Sequence, residues 1–182
     1  MILKVKPFHE KLNMSYCGPA SLKMVLRYYG MEKTEKELAE LSGWNKDLGV
    51  DDAGIKKAAE SLGFRVRVKN QSNYSDIQNW LDRGIPVIVD WFTGGRPDHS
   101  GSEMADGHYS VAVGLDKGFI YLQDPEIGRI RRIRRSDFMR VWFDFRGDRI
   151  KTNELIMRQL IAIYPSLNKI KKRKRFSLIA VG

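Results

Sequence analysis

The chain has 182 residues, of which 42% are hydrophobic and 30% charged, so it is long enough for one domain with an ordinary core. Its longest apolar runs, such as residues 86–89 and 160–164, are too short to span a bilayer, and residues 1–10 carry no secretory signal. A lone cysteine excludes an internal disulfide, and together these features predict a cytoplasmic protein.

The formal net charge of +10 is concentrated in two short runs. Residues 129–135 contribute five positive charges and residues 169–175 contribute six, which leaves 21 basic and 22 acidic residues elsewhere. We interpret the first run as a solvated strand edge and the second as a loose tail. An anionic partner, bound through the run that begins at Lys169 and ends at Arg175, stays open as an alternative.

Four helices are predicted in the first half of the chain. Apolar side chains at helical spacing, followed by glycines, predict helices over residues 18–29, 35–42, 52–62 and 76–83. Thr34 and Glu37 form a capping-box pattern before the second helix. The third helix is expected to be capped by Asp51 or Asp52, and the fourth by Ser75.

Strands dominate the second half of the chain. They are predicted over residues 64–68, 86–92, 108–116, 118–124, 129–133 and 158–165, with a short helix over 136–142 capped by Ser136. Residues 93–107 form a long polar loop rich in glycine, which we interpret as a rim or lid beside a substrate site. Helices followed by antiparallel strands predict an α+β fold.

Cys17 lies in the segment SYCGPAS, at the start of the first predicted helix. The start of a helix carries partial positive charge and unpaired N–H groups, which favour a thiolate and predict a lowered pKa for Cys17. The same N–H groups can stabilise a developing oxyanion. Cys17 is therefore a candidate nucleophile, although burial as a small apolar side chain is the common role of a single cysteine.

A cysteine nucleophile needs a base, and His108 and Asp124 are the candidates for the base and its partner. His108 begins one predicted strand, Asp124 ends the next, and the turn between them is centred on residues 116–118. Antiparallel pairing brings both residues to the same end of this hairpin. The sequence thus predicts a Cys-His-Asp arrangement suited to nucleophilic catalysis.

Four segments resemble one known family: YCGPASLKMVLRYYG, GIKKAAESLGFRVRV, LDRGIPVIVDWF and GHYSVAVGLDKGFIYLQDP. They look like the papain-like cysteine peptidases that process bacteriocins with double-glycine leaders, over roughly residues 5–145. The resemblance implies a papain-like fold, which we assign to residues 1–165, and we interpret residues 166–182 as a basic tail. It also implies Cys17 as nucleophile, His108 as general base and acid, and Asp124 as the residue that orients His108. Members joined to export transporters cleave after Gly-Gly; we expect no attached transporter for this chain, so that substrate is not assumed.

The chain departs from this family before the cysteine. A glutamine that helps to form the oxyanion hole usually stands about six residues earlier, where this chain has Lys11, with Glu10 and Asn13 nearby. Lys11 and Asn13 are the candidate oxyanion donors. Losing such a donor typically costs about 10²–10³ in rate, so a peptide-binding module with weak catalysis is the alternative to a cysteine peptidase.

No cofactor is expected. His9 and the loop residues Asp98, His99, Glu103 and Asp106 could together suggest zinc, but their spacing matches no compact site, so no metal is expected either. The leading function is hydrolysis of a peptide bond by a thiol through an acyl-enzyme, with a peptide or protein as substrate.

Overall fold

A computed structural model describes residues 2–10, 15–93, 107–145 and 151–166. The helices in these ranges are α1 (Cys17–Tyr28), α2 (Glu35–Ser42), α3 (Asp52–Ser61), α4 (Tyr74–Asp82) and α5 (Arg135–Val141), and a 3-10 turn spans Thr152–Glu154. The strands are β1 (Phe64–Lys69), β2 (Val87–Phe92), β3 (Gly107–Leu115), β4 (Phe119–Asp124), β5 (Arg129–Arg134), β6 (Phe143–Phe145), β7 (Leu155–Met157) and β8 (Leu160–Pro165).

Local capping explains where most helices begin. The Thr34 hydroxyl accepts a hydrogen bond from the Glu37 N–H, and the Glu37 carboxylate reciprocates, so the predicted capping box is confirmed. Asp51 caps α3 through the Gly54 N–H. The predicted cap of α4 was wrong: the helix begins earlier, at Tyr74, because Asn73 forms its own capping box there.

The short helix α5 also differs from the prediction at its start. Ser136 lies inside the helix, and Arg134 occupies the N-cap position without a side-chain hydrogen bond. The Ser136 hydroxyl instead lies 3.3 Å from a carboxylate oxygen of Asp137. Because β5 continues directly into α5, the strand rather than a capping side chain sets where this helix begins.

The main sheet has six strands in the order β1-β8-β2-β3-β4-β5, and each neighbouring pair is antiparallel. The α+β architecture predicted from the sequence is confirmed. A two-stranded sheet of β6 and β7 was not predicted, because strands of three residues show no readable alternation. The core contains completely buried side chains of the helices and the sheet, among them Leu22, Leu26, Ile88 and Val111.

Residues 2–10 run along β3 and β4 toward the end of β4. The Leu3 N–H donates to the Val113 carbonyl at 2.8 Å, and the Gln123 amide donates to the Val5 carbonyl at 2.8 Å. The side chains of Leu3 and Val5 are buried. These contacts carry the chain to the sheet end where Asp124 lies, so the segment before α1 is part of the fold.

Helix α1 packs directly on β3. The Ser21 hydroxyl is buried and donates to the Tyr109 carbonyl at 3.0 Å. The helix also approaches the loop before α3 so closely that a Cβ atom on Gly18 would lie 2.2 Å from a Val50 methyl carbon. Glycine at position 18 therefore permits the close packing of α1 against the loop before α3.

Several predictions fall outside the described residues: the oxyanion candidates Lys11 and Asn13, nearly all of the proposed rim at 93–107, and the basic tail. The division of the chain at residue 165 and the anionic partner of the tail stay predictions. Within the described ranges, no helix is both long and apolar enough to cross a membrane.

Candidate active site

Cys17 is the first residue of α1, and its thiol meets β3. Interactions with the His108 side chain and with the backbone of Tyr109, both on β3, act to lower the pKa of the thiol. The N-cap residue, Tyr16, contributes no side-chain hydrogen bond to the start of the helix. The packing of α1 on β3 thus brings the candidate nucleophile and the candidate base together.

His108 and Asp124 lie at one end of the β3–β4 hairpin, as their positions in the sequence predicted. His108 Nε2 is 2.7 Å from Asp124 Oδ1, and both side chains are buried. The Trp91 ring meets the imidazole edge-on, with 5.8 Å between centroids. Because Nε2 is occupied by Asp124, Nδ1 is the ring nitrogen left for the thiol.

Arg131 holds the other side of Asp124. Its Nε atom donates to Asp124 Oδ2 at 2.5 Å, and a terminal guanidinium nitrogen donates to a Glu126 oxygen at 2.9 Å. The side chain is only 7% exposed. The interpretation of residues 129–135 as a solvated edge was therefore wrong for Arg131, although Arg129, Arg132 and Arg134 are exposed.

The charges of this cluster stabilise one another. Burial alone would raise the pKa of Asp124, but His108 and the Arg131 guanidinium hold it well below its ordinary value. Burial alone would lower the pKa of His108, yet Asp124 and the contact with Cys17 raise it well above its ordinary value. Asp124 is therefore a fixed negative charge that favours an imidazolium at His108.

The thiol differs from the sequence prediction. Burial raises the pKa of Cys17, and the hydrogen bond and charge of His108 offset that effect only in part. The prediction of a lowered pKa was wrong, because it considered the helix terminus but not the loss of water around the sulfur. The thiolate in this site depends on His108 rather than on the helix alone.

Glu10 is a titratable residue of this region whose surroundings were not visible in the sequence. Its backbone N–H donates to the Pro125 carbonyl at 2.9 Å, next to Asp124. Its Oε2 atom is buried and has no hydrogen-bond partner among the described residues. Burial, reinforced by nearby carboxylates, raises the pKa of Glu10 to about 7.

Asp90 is a second buried acid near His108. It lies on β2, directly opposite Tyr109 of β3, and is 1% exposed. Burial and the neighbouring Asp144 raise the pKa of Asp90 well above its ordinary value. The sequence pattern of β2 predicted a buried strand but did not indicate that Asp90 would lie near His108.

The predicted metal-ligand candidates do not come together in the described part of the chain. His9 packs against Gly128, and the four loop residues lie outside the described ranges. A different group, His108, Asp124 and Glu126, has ligand atoms within 4.8 Å of one another. The Arg131 guanidinium already binds both of its carboxylates, so this donor set is better suited to an arginine than to a cation.

Comparison with known proteins connects this geometry to one family. The model of the Peptidase_C39 like family matches residues 2–149. A lactococcin-G-processing and transport ATP-binding protein of Lactococcus lactis subsp. lactis is 33% identical over 126 residues, which are 69% of this chain and 16% of that protein. The chain spans less than a fifth of the length of the first curated relatives that it matches.

Solved structures show the same fold. The peptidase domain of Streptococcus ComA, a bifunctional ABC transporter, has a TM-score of 0.64 at 24% identity, covering 88% of this chain and 99% of that domain. A double glycine motif protease from an AMS/PCAT transporter, solved with its leader peptide, has a TM-score of 0.64 at 21% identity. That match covers 91% of this chain and 94% of the protease.

Proposed function

The chain belongs to the Peptidase_C39 like family of cysteine peptidases, and from this premise we propose that it hydrolyses peptide bonds through Cys17. In this proposal His108 is the general base and acid, and Asp124 orients the imidazole and stabilises its protonated form. The observation that carries the proposal is the 2.7 Å contact of His108 Nε2 with Asp124, beside a thiol at a helix N-terminus.

The residues suit each step of an acyl transfer. The Cys17 sulfur, its proton taken up by His108, attacks the carbonyl carbon, and the carbonyl oxygen becomes an oxyanion. The imidazolium then gives its proton to the leaving amine, the C–N bond breaks, and an acyl thioester stays on Cys17. Water, losing a proton to His108, hydrolyses that thioester and restores the thiol. Asp124 stabilises the imidazolium that forms in both halves of the reaction.

We infer peptides as the substrate class. The solved relative that is a double glycine motif protease, bound to a leader peptide, makes a peptide with Gly-Gly before the scissile bond the first substrate to test. Peptide transport by the longer relatives is not carried over, because this chain corresponds to a small part of them.

The test is acylation of Cys17 by an activated ester of a peptide ending in Gly-Gly, followed by intact-protein mass spectrometry. Cys17 is the only cysteine, so a thioester adduct has one possible position. We expect an adduct in the wild type, none in Cys17→Ala, and rates lower by about 10²–10⁴ in His108→Ala. The acylation rate of Asp124→Asn should be lowered by a similar factor, because the substitution removes the charge that stabilises the imidazolium while preserving the shape of the side chain.

A matched Ala-Ala ester measures how strongly the site selects glycine. Binding of the Gly-Gly peptide without any adduct, at every pH and in the wild type, would contradict the peptidase and support a peptide-binding module. Equal adduct formation in the wild type and in His108→Ala would also contradict the assigned roles.

A further inference from the structure

Glu10 lies at the end of the N-terminal segment, beside the His108–Asp124 pair. We propose that Glu10, in its protonated form, is a further catalytic residue that donates a hydrogen bond to the substrate carbonyl oxygen as this becomes an oxyanion. The assignment rests on the acyl transfer proposed above. It replaces the expected donors, Lys11 and Asn13, with a carboxylic acid.

The backbone holds Glu10 against the turn that follows β4. The Glu10 N–H donates to the Pro125 carbonyl at 2.9 Å. The preceding residue, His9, packs on Gly128 so closely that a Cβ atom there would lie 2.8 Å from its side chain. Gly128 also has a φ of +61°, which favours glycine at this position. Contacts at two consecutive residues thus fix the backbone of Glu10 at the sheet end that holds Asp124, where its carboxyl group interacts electrostatically with His108, Asp124 and Cys17.

Among the described residues the buried Oε2 atom of Glu10 has no hydrogen-bond partner, and a catalytic hydrogen bond would supply one. Buried polar atoms are nearly always hydrogen-bonded, but Glu10 Oε2 has no partner among the described residues. A neutral carboxylic acid tolerates such a position far better than a carboxylate. An incoming carbonyl oxygen can accept the hydrogen bond that the acid has available.

The surrounding charges favour the protonated acid. The titratable groups that face it come from four elements: His108 of β3, Asp124 and Glu126 at the end of β4, Glu35 at the start of α2 and Cys17 at the start of α1. Burial is the largest effect, the three carboxylates act in the same direction, His108 opposes them, and the resulting pKa of Glu10 is about 7. Arg131 limits the repulsion by pairing with Asp124 and Glu126.

A donor at this position would complement the helix terminus. Tyr16 provides no side-chain cap for α1, and N–H groups at the start of a helix can serve as backbone donors. The ionised form of Glu10 would be harmful, because its charge raises the pKa of Cys17 and would repel an oxyanion. Acylation should therefore require protonated Glu10 and decrease as the pH rises through about 7.

The experiment compares two reactions of Cys17 across pH 5.5–9. Acylation by the Gly-Gly ester develops an oxyanion, whereas alkylation by iodoacetamide does not. Variants Glu10→Gln and Glu10→Ala are measured beside the wild type, with Glu60→Gln, an exposed acid on α3, as the matched control. Circular dichroism establishes that each variant is folded.

We expect wild-type acylation, normalised to alkylation at each pH, to decrease above about pH 7. Glu10→Gln should keep its activity there, because an amide donates at every pH. Glu10→Ala should acylate about 10²–10³ times more slowly throughout, with little loss of alkylation. Glu60→Gln should follow the wild type. Equal loss of both reactions in Glu10→Ala, or wild-type profiles in both Glu10 variants, would overturn the proposal.

A titration separates this proposal from the peptidase proposal. Glutamate labelled with ¹³C at the side-chain carboxyl gives an NMR signal that Glu10→Gln removes. A midpoint near pH 7 is expected, and a midpoint near the ordinary value of 4.5 would overturn the role of Glu10 whatever the activity. A wild type that alkylates but never acylates would instead contradict the peptidase, and with it any oxyanion donor.

Discussion

Arg131 offers the sharpest test of the site, through replacement by methionine. Its guanidinium bonds to Asp124, which is completely buried, and to Glu126. Removing one partner of a buried ion pair typically costs about 3–5 kcal/mol, because the remaining charge loses compensation, and among the described residues only His108 would still pair with Asp124. A domain of this size is stable by only about 5–15 kcal/mol, so Arg131→Met should lose a large share of its stability.

Arg132→Met is the matched control, since it removes the same charge from the neighbouring position. Arg132 is exposed and its guanidinium lies 3.5 Å from the centre of the Phe119 ring. Such an exposed contact contributes at most about 1 kcal/mol. In urea unfolding at pH 7, monitored by tryptophan fluorescence, the free energies of unfolding of the two variants should therefore differ by several kcal/mol.

The pH dependence gives a second criterion. The pKa of Asp124 is depressed in the folded chain, so its contribution to stability is present above its unfolded pKa and is lost as the pH falls below it. In Arg131→Met the carboxyl can neutralise its uncompensated charge by binding a proton. The deficit against the wild type should be largest near neutral pH and shrink in acid. Equal losses in the two variants, or a deficit that grows in acid, would refute this reasoning.

Three further predictions concern neighbouring residues. His108→Ala should move alkylation of Cys17 by iodoacetamide to higher pH, because it removes the interactions that offset burial; an unchanged profile would contradict this. Gly18→Ala should destabilise the chain by about 1–3 kcal/mol in urea, since its methyl group would overlap Val50; unaltered stability would show that the contact is adaptable. Glu10→Gln should be more stable than the wild type by at most about 3 kcal/mol above pH 7, because the amide avoids the cost of ionising a buried carboxyl group. The difference in free energy of unfolding should develop between pH 4.5 and 7 and be absent in acid.

The sequence was sufficient to place Cys17, His108 and Asp124 on their elements. The hairpin between β3 and β4 brings His108 and Asp124 to one end because strand pairing follows from the position of the turn. The docking of α1 on β3 was not predictable in the same way, since it depends on contacts such as Ser21 with Tyr109, 88 residues apart.

Arg131 shows how a charged run can conceal a buried residue. Alternation along β5 places Arg131 on the same face as Ile133, and Asp124 pairs with Arg129 in the adjacent strand. This register could have indicated an inward-facing arginine near Asp124. The composition of the run suggested solvent instead, because isolated arginines are rarely buried without a partner.

Glu10 was not predictable as a site residue because its burial comes from distant parts of the chain. Counting back from Cys17 pointed to Lys11, whereas the backbone bond of Glu10 to Pro125 and the packing of His9 on Gly128 hold Glu10 at the end of β4. The elevated pKa of Glu10 likewise arises mainly from burial, reinforced by carboxylates at the end of β4 and at the start of α2, and no local pattern contains these causes.

The position of β8 in the sheet has a consequence for how the chain folds during synthesis. Strand β8 lies between β1 and β2, so β1 cannot join the sheet until about a hundred further residues have left the ribosome. Contacts between such distant segments make folding slow, since a long loop must close before they contribute. The strand that completes the sheet is thus made after every residue of the candidate site, and a nascent chain lacking it would carry an unpaired β2 edge prone to association.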